Sequence, residues 1–186
     1  MAYSVRTSQS DPLRIDSVGI PGISGRIGMT LCPGKHQNFG LSGRWERDLD
    51  VDLRAICDWS ATILVSLMQD HEFEELGIPD IGGHAASLGL SWMHLPIPDG
   101  GVPDETFEAQ WMRCGPEIRG RLAQGERVVL HCKGGLGRTG TIAARLLMEF
   151  GIDAREALWA VRRARPGTIE NIIQENYLDR LARRQG

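Results

Sequence analysis

Cys132 is followed six residues later by Arg138, and that pairing sets the chemistry to look for. A thiolate is a nucleophile, and a guanidinium offers five N–H donors in a planar fork that matches a phosphoryl group. The intervening Lys133, Gly134, Gly135, Leu136 and Gly137 form a loop short enough to curl with its backbone N–H groups pointing inward. Such a curl is an anion nest, with sulfur at its floor and the guanidinium at its rim. The spacing alone is weak evidence, because the chain has 19 arginines; Cys32, Cys57 and Cys114 lack it, however. The context is more specific. Val128, Val129 and Leu130 form a short apolar run that predicts a buried strand. The glycines allow positive φ and close approach of backbone to ligand. Thr139 and Gly140 lead into an apolar stretch over 142–150 that predicts a helix. Strand, glycine-rich turn and helix N-terminus together make a site for a dianion.

The same residues satisfy two other patterns. Gly135-Leu136-Gly137-Arg138-Thr139-Gly140 reads G-x-G-x-x-G, the dinucleotide fingerprint. That unit needs a second strand ending in an acid about 20 residues on. Residues 153–164 read as another helix instead. A Walker loop fails because Thr141, not lysine, follows Gly140.

The elements that must position this loop follow a strand–helix alternation. Strand candidates lie at 17–20, 27–31, 62–67, 91–96 and 128–130, and helix candidates at 48–59 and within 70–89. Phe107, Trp111, Ile118 and Leu122 recur at helical spacing across 104–123, with Pro116 on the outer face, where it kinks rather than ends the helix. Asp153 with Glu156 resembles a capping box for a helix that stops before Pro166, and Ile169, Ile173, Tyr177 and Leu181 stripe a last helix. The expectation is a single-domain α/β fold, a central mixed, mostly parallel sheet flanked by helices. Residues 1–12 read as a flexible N-terminal tail and 13–186 as the domain. Ligands in such sheets bind at the carboxyl ends of strands, where Cys132 falls.

Composition narrows the partners. The chain has 186 residues and a net charge of −3, which argues against nucleic acid and against a polybasic membrane contact. No apolar run approaches the ~18 residues of a membrane span. Four cysteines without a C-x-x-C pair fit a reducing, cytoplasmic setting. The five histidines show no ligand spacing, so neither a metal nor another cofactor is expected.

With His131-Cys132-x5-Arg138-Thr139-Gly140 in hand, the chain resembles the cysteine-dependent dual-specificity/tyrosine protein phosphatase superfamily. Within it, the chain is most similar to the kinase-associated phosphatase (cyclin-dependent kinase inhibitor three) group. The segment His94-Leu95-Pro96-Ile97-Pro98-Asp99-Gly100-Gly101-Val102-Pro103-Asp104 resembles the superfamily's general-acid loop. Residues 170–178, with Gln174 before Asn176-Tyr177-Leu178, resemble that group's glutamine-bearing C-terminal segment. The likeness runs from about residue 25 onward, specific at the two motifs and loose elsewhere. It departs where relatives often carry a second cysteine near the end of the 62–68 strand, since this chain has Ser66 and Met68. Leu136 also stands where lipid-directed members tend to have a lysine.

The resemblance implies a protein phosphatase working through a cysteinyl-phosphate intermediate. Its substrate would be a phosphorylated protein or peptide, with phosphotyrosine first and phosphoserine/threonine left open. Phosphate, sulfate or vanadate would occupy the same loop. Cys132 would be the nucleophile, Arg138 the bidentate phosphoryl grip, and Asp99 the acid and then the base. Thr139 would hydrogen-bond the thiolate, His131 would orient the loop, Gln174 would place the water and Lys133 would broaden anion attraction. Each residue has a plainer reading: a buried cysteine, a helix-start arginine or hydroxyl, a space-filling histidine, a solvated lysine, an exposed helix glutamine. For Asp99 it is a turn aspartate before Gly100 and Gly101. Asp104 is a rival acid, but its place before a helix suits an N-cap. Arsenate reduction, sulfur transfer, a phosphoinositide or small-phosphomonoester phosphatase, and a non-catalytic phosphopeptide module remain alternative readings.

Overall fold

A computed structural model describes residues 5–39, 43–78 and 80–185. In chain order the elements are β1 (Asp16–Ile20), β2 (Ile23–Thr30), β3 (His36–Gln37), β4 (Trp45–Glu46), α1 (Leu49–Asp58), β5 (Ala61–Ser66), α2 (Asp70–Glu75), α3 (Ile81–Ser87), β6 (Ser91–His94), α4 (Glu105–Ala123), β7 (Arg127–His131), α5 (Gly137–Glu149), α6 (Ala154–Ala164) and α7 (Ile172–Gln185). The main sheet has the order β1-β2-β7-β5-β6, antiparallel only between β1 and β2. A separate hairpin pairs β3 with β4.

β7 is the middle strand, and Val128, Val129, Leu130 and His131 have no solvent exposure. A continuous apolar run buried on both faces is what a central parallel strand requires. Its register pairs His131 with Thr30 of β2 and with Ser66 of β5, so the chain leaves the sheet at Cys132. α4, α5 and α6 pack on the β1, β2 and β7 side of the sheet order, whereas α1 packs on β5 and α3 on β6. This is the expected mixed, mostly parallel sheet with helices.

Local chemistry starts and stops the helices. Asp48 caps α1 by accepting from Val51 N–H at 2.9 Å. Asp104 caps α4 by accepting from Phe107 N–H at 2.8 Å, as its position before the helix predicts. Asp153 caps α6. Pro116 is exposed within α4, which continues through it. Two boundaries differ from expectation. α5 begins at Gly137 rather than near 142, because Gly140 N–H closes onto Leu136 C=O at 2.9 Å and Thr141 Oγ1 bonds Gly137 C=O. Glycine and threonine are weak helix formers, so the sequence hides this turn. α7 begins at Ile172, because Ile169 has φ 57° and stands outside the helix.

The tail expectation also needs correction for residues 6–11; 1–4 lie outside the described residues. Arg6 pairs with Trp45 beside β4, and Glu46 N–H donates to Arg6 C=O at 2.9 Å. Ser8 is buried and its Oγ accepts from Asp48 N–H at 2.9 Å. Backbone pairing holds this segment, and polar composition gives no warning of it.

Candidate active site

Cys132 is 3% exposed at the carboxyl end of β7. The loop after it is held from behind by its own carbonyls. Arg165, at the end of α6, donates from Nε to Gly135 C=O at 2.7 Å and from Nη2 to Gly134 C=O at 3.3 Å. Its Nη1 is tied to Asp16 of β1 at 2.8 Å. In a trans peptide the C=O and N–H point opposite ways. Pulling these two carbonyls outward therefore turns the N–H groups of Gly135 and Leu136 toward the inside of the loop. Lys133 C=O is also engaged, by Cys32 N–H at 3.4 Å and Lys35 Nζ at 3.5 Å. Gly135 has φ 69°, and a Cβ there would overlap the Thr30 carbonyl oxygen. Only glycine fits that position.

The buried turn over 32–35 that backs the loop is itself anchored. Asp52 of α1 accepts Gly34 N–H at 2.9 Å and a two-point ion pair from Arg47 at 2.7 and 2.8 Å.

Arg138, 2% exposed, sits in the first turn of α5. Glu72 of α2 accepts from both of its terminal nitrogens, at 2.6 Å from Nη1 and 2.9 Å from Nη2. Nη1 also donates to Ile97 C=O at 3.1 Å, and Nη2 to Asp99 Oδ1 at 2.8 Å. Burial pushes the Glu72 carboxyl up, but hydrogen bonds from Arg138 and Gln69 N–H, with the Arg138 charge, outweigh it and hold it below its ordinary range. Arg138 is the reverse: burial disfavours its charge, and Glu72 more than restores it.

Asp99 therefore meets Arg138 directly, and its side chain is 71% exposed whereas that of Glu72 is 3% exposed. Asp104 is consumed in its cap. Thr139 is fully buried, and its Oγ1 has no hydrogen-bond partner among the described residues. Lys133 is partly exposed, 3.8 Å from Glu75. His131 Nε2 is joined through Ser66 Oγ to the Trp92 indole N–H. Burial drives the imidazole pKa down to about 3, so it is neutral at physiological pH. Gln174 is fully buried rather than an exposed helix residue. Its Oε1 accepts Glu170 N–H at 2.8 Å, and its Nε2 reaches Gly101 C=O at 3.4 Å. A Cβ on Gly137 would overlap Glu170 and Gln174, so these side chains lie directly against the loop.

The structure thus gathers Cys132, Lys133, Gly134, Gly135, Leu136, Gly137, Arg138, Thr139, His131, Asp99 and Gln174 around one loop. It adds four residues that the sequence did not single out: Glu72, Arg165, Asn171 and Lys35. Asn171 Nδ2 donates to Gly100 C=O at 3.0 Å. Two of them carried a local signal: Glu72 as the Glu of a capping box opened by Gln69, and Asn171 as an N-cap residue type just before α7. A cleft of about 470 Å³ opens beside Lys133, lined by His36, Trp45, Glu74 and Glu75 among others. Among the described residues no group of three or more His, Cys, Asp or Glu is arranged to hold a metal ion. Nor, among the described residues, is any helix long and apolar enough to cross a membrane.

The geometry agrees with known proteins. Residues 40–152 match the family described as "Polymorphic toxin system, DSP-PTPase phosphatase". The chain is 34% identical over 110 residues to cyclin-dependent kinase inhibitor 3 of Rattus norvegicus, covering 58% of this chain and 50% of that protein. It is 32% identical over 87 residues to tyrosine-protein phosphatase CDC14 of Saccharomyces cerevisiae, covering 46% of this chain and 15% of that one. The chain spans about half the length of the cyclin-dependent kinase inhibitor 3 relatives it matches. Among solved structures, kinase-associated phosphatase with its catalytic-site cysteine changed to serine superposes with a TM-score of 0.81 at 25% identity, covering 93% of this chain and 96% of that one. Tk-PTP in its active form gives 0.68 at 28% identity, covering 91% and 97%. A match across three of the five strands of the main sheet, both loops and all of α5 makes this chain a member of the DSP-PTPase phosphatase family.

Proposed function

We propose that the chain hydrolyses phosphomonoesters on proteins, with phosphotyrosine as the first substrate class and phosphoserine/threonine within range, in the cytoplasm. One observation carries this reading: the guanidinium six residues after a strand-end cysteine also meets the exposed carboxylate of a separate loop, so nucleophile, anion grip and acid converge.

In the first step the Cys132 thiolate attacks phosphorus, an S–P bond forms, and the P–O bond to the leaving group breaks. Asp99 donates its proton to the departing oxygen. In the second step water attacks phosphorus, Asp99 takes its proton, and the S–P bond breaks to return thiolate and inorganic phosphate. Charge on the equatorial oxygens is met by the inward N–H groups and by Arg138. The unpartnered Thr139 hydroxyl suits a bond to sulfur as it leaves. Gln174 orients the water, Lys133 draws the anion in, and neutral His131 braces the strand end. Residues flanking the phosphorylated side chain have room in the cleft beside Lys133.

The test is a purified-protein panel of phosphopeptides, phosphoinositides and nucleotides, alongside an aryl phosphate. Cys132→Ser is expected to abolish aryl phosphate turnover while still binding tungstate or phosphate. Retained turnover refutes the nucleophile. Dependence on glutathione or thioredoxin, with arsenate reduced, selects a reductase instead.

A further inference from the structure

We propose that Asn171 is a positioning residue for the reaction: it fixes the acid loop over the site through Gly100, so that Asp99 changes partner by rotating its side chain rather than by carrying the loop away. This rests on Asp99 being the general acid, the reading above.

The need for such a device comes from the hydrogen count on Arg138. A guanidinium has five N–H donors. Four are engaged: two by Glu72, one by Ile97 C=O and one by Asp99. An incoming phosphoryl group that takes two must displace a resident. Glu72 is 3% exposed and Asp99 is 71% exposed, so Asp99 is the one that leaves. Once it has left, Arg138 touches that loop only through Ile97 C=O at 3.1 Å, two residues before Asp99, and holds nothing beyond it.

The remaining attachments do. Ile97 N–H is bonded to Leu67 C=O at 3.1 Å, and Gly101 N–H closes a turn onto Pro98 C=O at 2.9 Å. Beyond that turn the loop is held across the site by α7. Asn171 donates from Nδ2 to Gly100 C=O at 3.0 Å, and Gln174 from Nε2 to Gly101 C=O at 3.4 Å. The other end of the Asn171 amide is committed as well, because Oδ1 accepts Gln174 N–H at 3.0 Å at the start of α7. An amide whose oxygen faces an N–H and whose nitrogen faces a carbonyl has one orientation. The side chain is therefore both a helix cap and a clasp.

That double use supplies a variant that separates the roles. Asn171→Asp keeps the cap, since aspartate caps helices as well as asparagine does. It replaces the donor toward Gly100 with an acceptor, which turns attraction into repulsion. Loss of one neutral hydrogen bond corresponds to about a 2- to 12-fold change in the held population. For Asn171→Asp we expect kcat for phenyl and alkyl phosphates to fall by about 5- to 10-fold. With 4-nitrophenyl phosphate, whose leaving group needs little protonation, the loss is less than about 2-fold. KM and thermal midpoint stay near wild type.

Asp99→Asn is measured on the same series. If it leaves the leaving-group dependence unchanged, the acid assignment fails. If it steepens that dependence while Asn171→Asp matches wild type, or slows all substrates equally, the clasp is overturned and the acid stands. Asn171→Ala, which removes cap and clasp together, should show the same leaving-group bias with a lowered thermal midpoint; a lowered midpoint without the bias also overturns the clasp.

Discussion

Replacing Glu72 by glutamine is the sharpest test of how Arg138 is held. Both side chains are nearly inaccessible, at 3% and 2%, and they share two charge-assisted hydrogen bonds of 2.6 and 2.9 Å. Removing one partner of a buried pair strands the other, typically at about 3–5 kcal/mol. Arg138 keeps Ile97 C=O and Asp99, so the smaller range of about 2–4 kcal/mol applies here. At roughly 2–4 °C per kcal/mol for a chain of this size, the thermal midpoint falls by about 5–15 °C. The glutamine nitrogen would also face guanidinium N–H groups, donor against donor, and tilt the fork. A 10- to 100-fold loss in kcat/KM on an aryl phosphate corresponds to about 1.4–2.7 kcal/mol of transition-state binding.

Scanning calorimetry and steady-state kinetics measure both effects. Glu75→Gln is the control, because Glu75 is 57% exposed and 3.8 Å from Lys133, and it should shift stability by less than about 0.5 kcal/mol. Adding Arg138→Met to Glu72→Gln should destabilise by less than the sum of the two, since the stranded charge is removed with its partner. Glu72→Gln matching wild type in both midpoint and kcat/KM, with an additive double variant, would refute the reasoning. Acidification offers an independent check. The folded carboxyl is held below its unfolded value near ~4.3, so its contribution is complete above that value and drains away as pH falls through the folded one.

The other predictions concern the loop and its surroundings. Arg165→Met frees the Gly134 and Gly135 carbonyls, and tungstate affinity should drop about 10-fold by calorimetry, at roughly 1.4 kcal/mol per tenfold; unchanged affinity in a folded protein would show that the loop holds its own shape. Gly135→Ala meets the Thr30 carbonyl at φ 69° and should lose aryl phosphatase activity, with destabilisation above ~1 kcal/mol; an active, stable variant contradicts the backbone argument. His131 titrates near 3 when folded and ~6.5 when unfolded, so the unfolded chain binds the extra proton between those values and stability rises with pH across that window. The slope between pH 5 and 6.5 in urea titrations should flatten in His131→Gln. Asp99→Asn removes the resident carboxylate from Arg138 and should tighten tungstate binding up to about 5-fold, the ceiling for an exposed pair near 1 kcal/mol. Weaker binding would mean that Asp99 assists the anion instead of competing with it.

How far the sequence could be read depended on whether a feature is local. The strand–loop–helix around Cys132 is contiguous, so spacing and residue type were enough. The caps at Asp104 and Asp153 and the stripe from Phe107 to Leu122 are equally local. What stayed hidden is long-range. Glu72 meets Arg138 across 66 residues, Arg165 meets Gly135 across 30, and Asn171 meets Gly100 across 71. None of these sits in a periodic pattern that would mark it. The β3–β4 hairpin has two residues per strand, too short for alternation to register, and the docked segment from Arg6 is held by backbone bonds and one buried serine hydroxyl, neither of which makes a periodic pattern. The first turn of α5 was missed for a chemical reason. Gly137 and Gly140 are poor helix formers, and a side chain there would meet Glu170 and Gln174 at the first and Thr168 and Ile169 at the second.

The arrangement around Arg138 divides two carboxylates by how easily each can leave. Glu72 is buried, grips two nitrogens and has its own second bond, to Gln69 N–H at 2.8 Å. Displacing it would leave two buried charges unpaired. Asp99 is exposed, grips one nitrogen, and costs little to release because water receives it. An anion entering the loop therefore competes with Asp99 and not with Glu72, and on the proposed mechanism the group it displaces is the one needed next at the leaving oxygen. On that mechanism binding and acid delivery become one exchange, provided the loop backbone does not drift when Asp99 lets go. The bonds from Asn171 and Gln174 to consecutive carbonyls of that loop meet this condition, and they do so from the same helix whose approach is fixed by Ile169 N–H on Leu136 C=O. Acid loop, phosphate loop and α7 are in this way referred to a single frame, and the only part left to move is a two-torsion side chain.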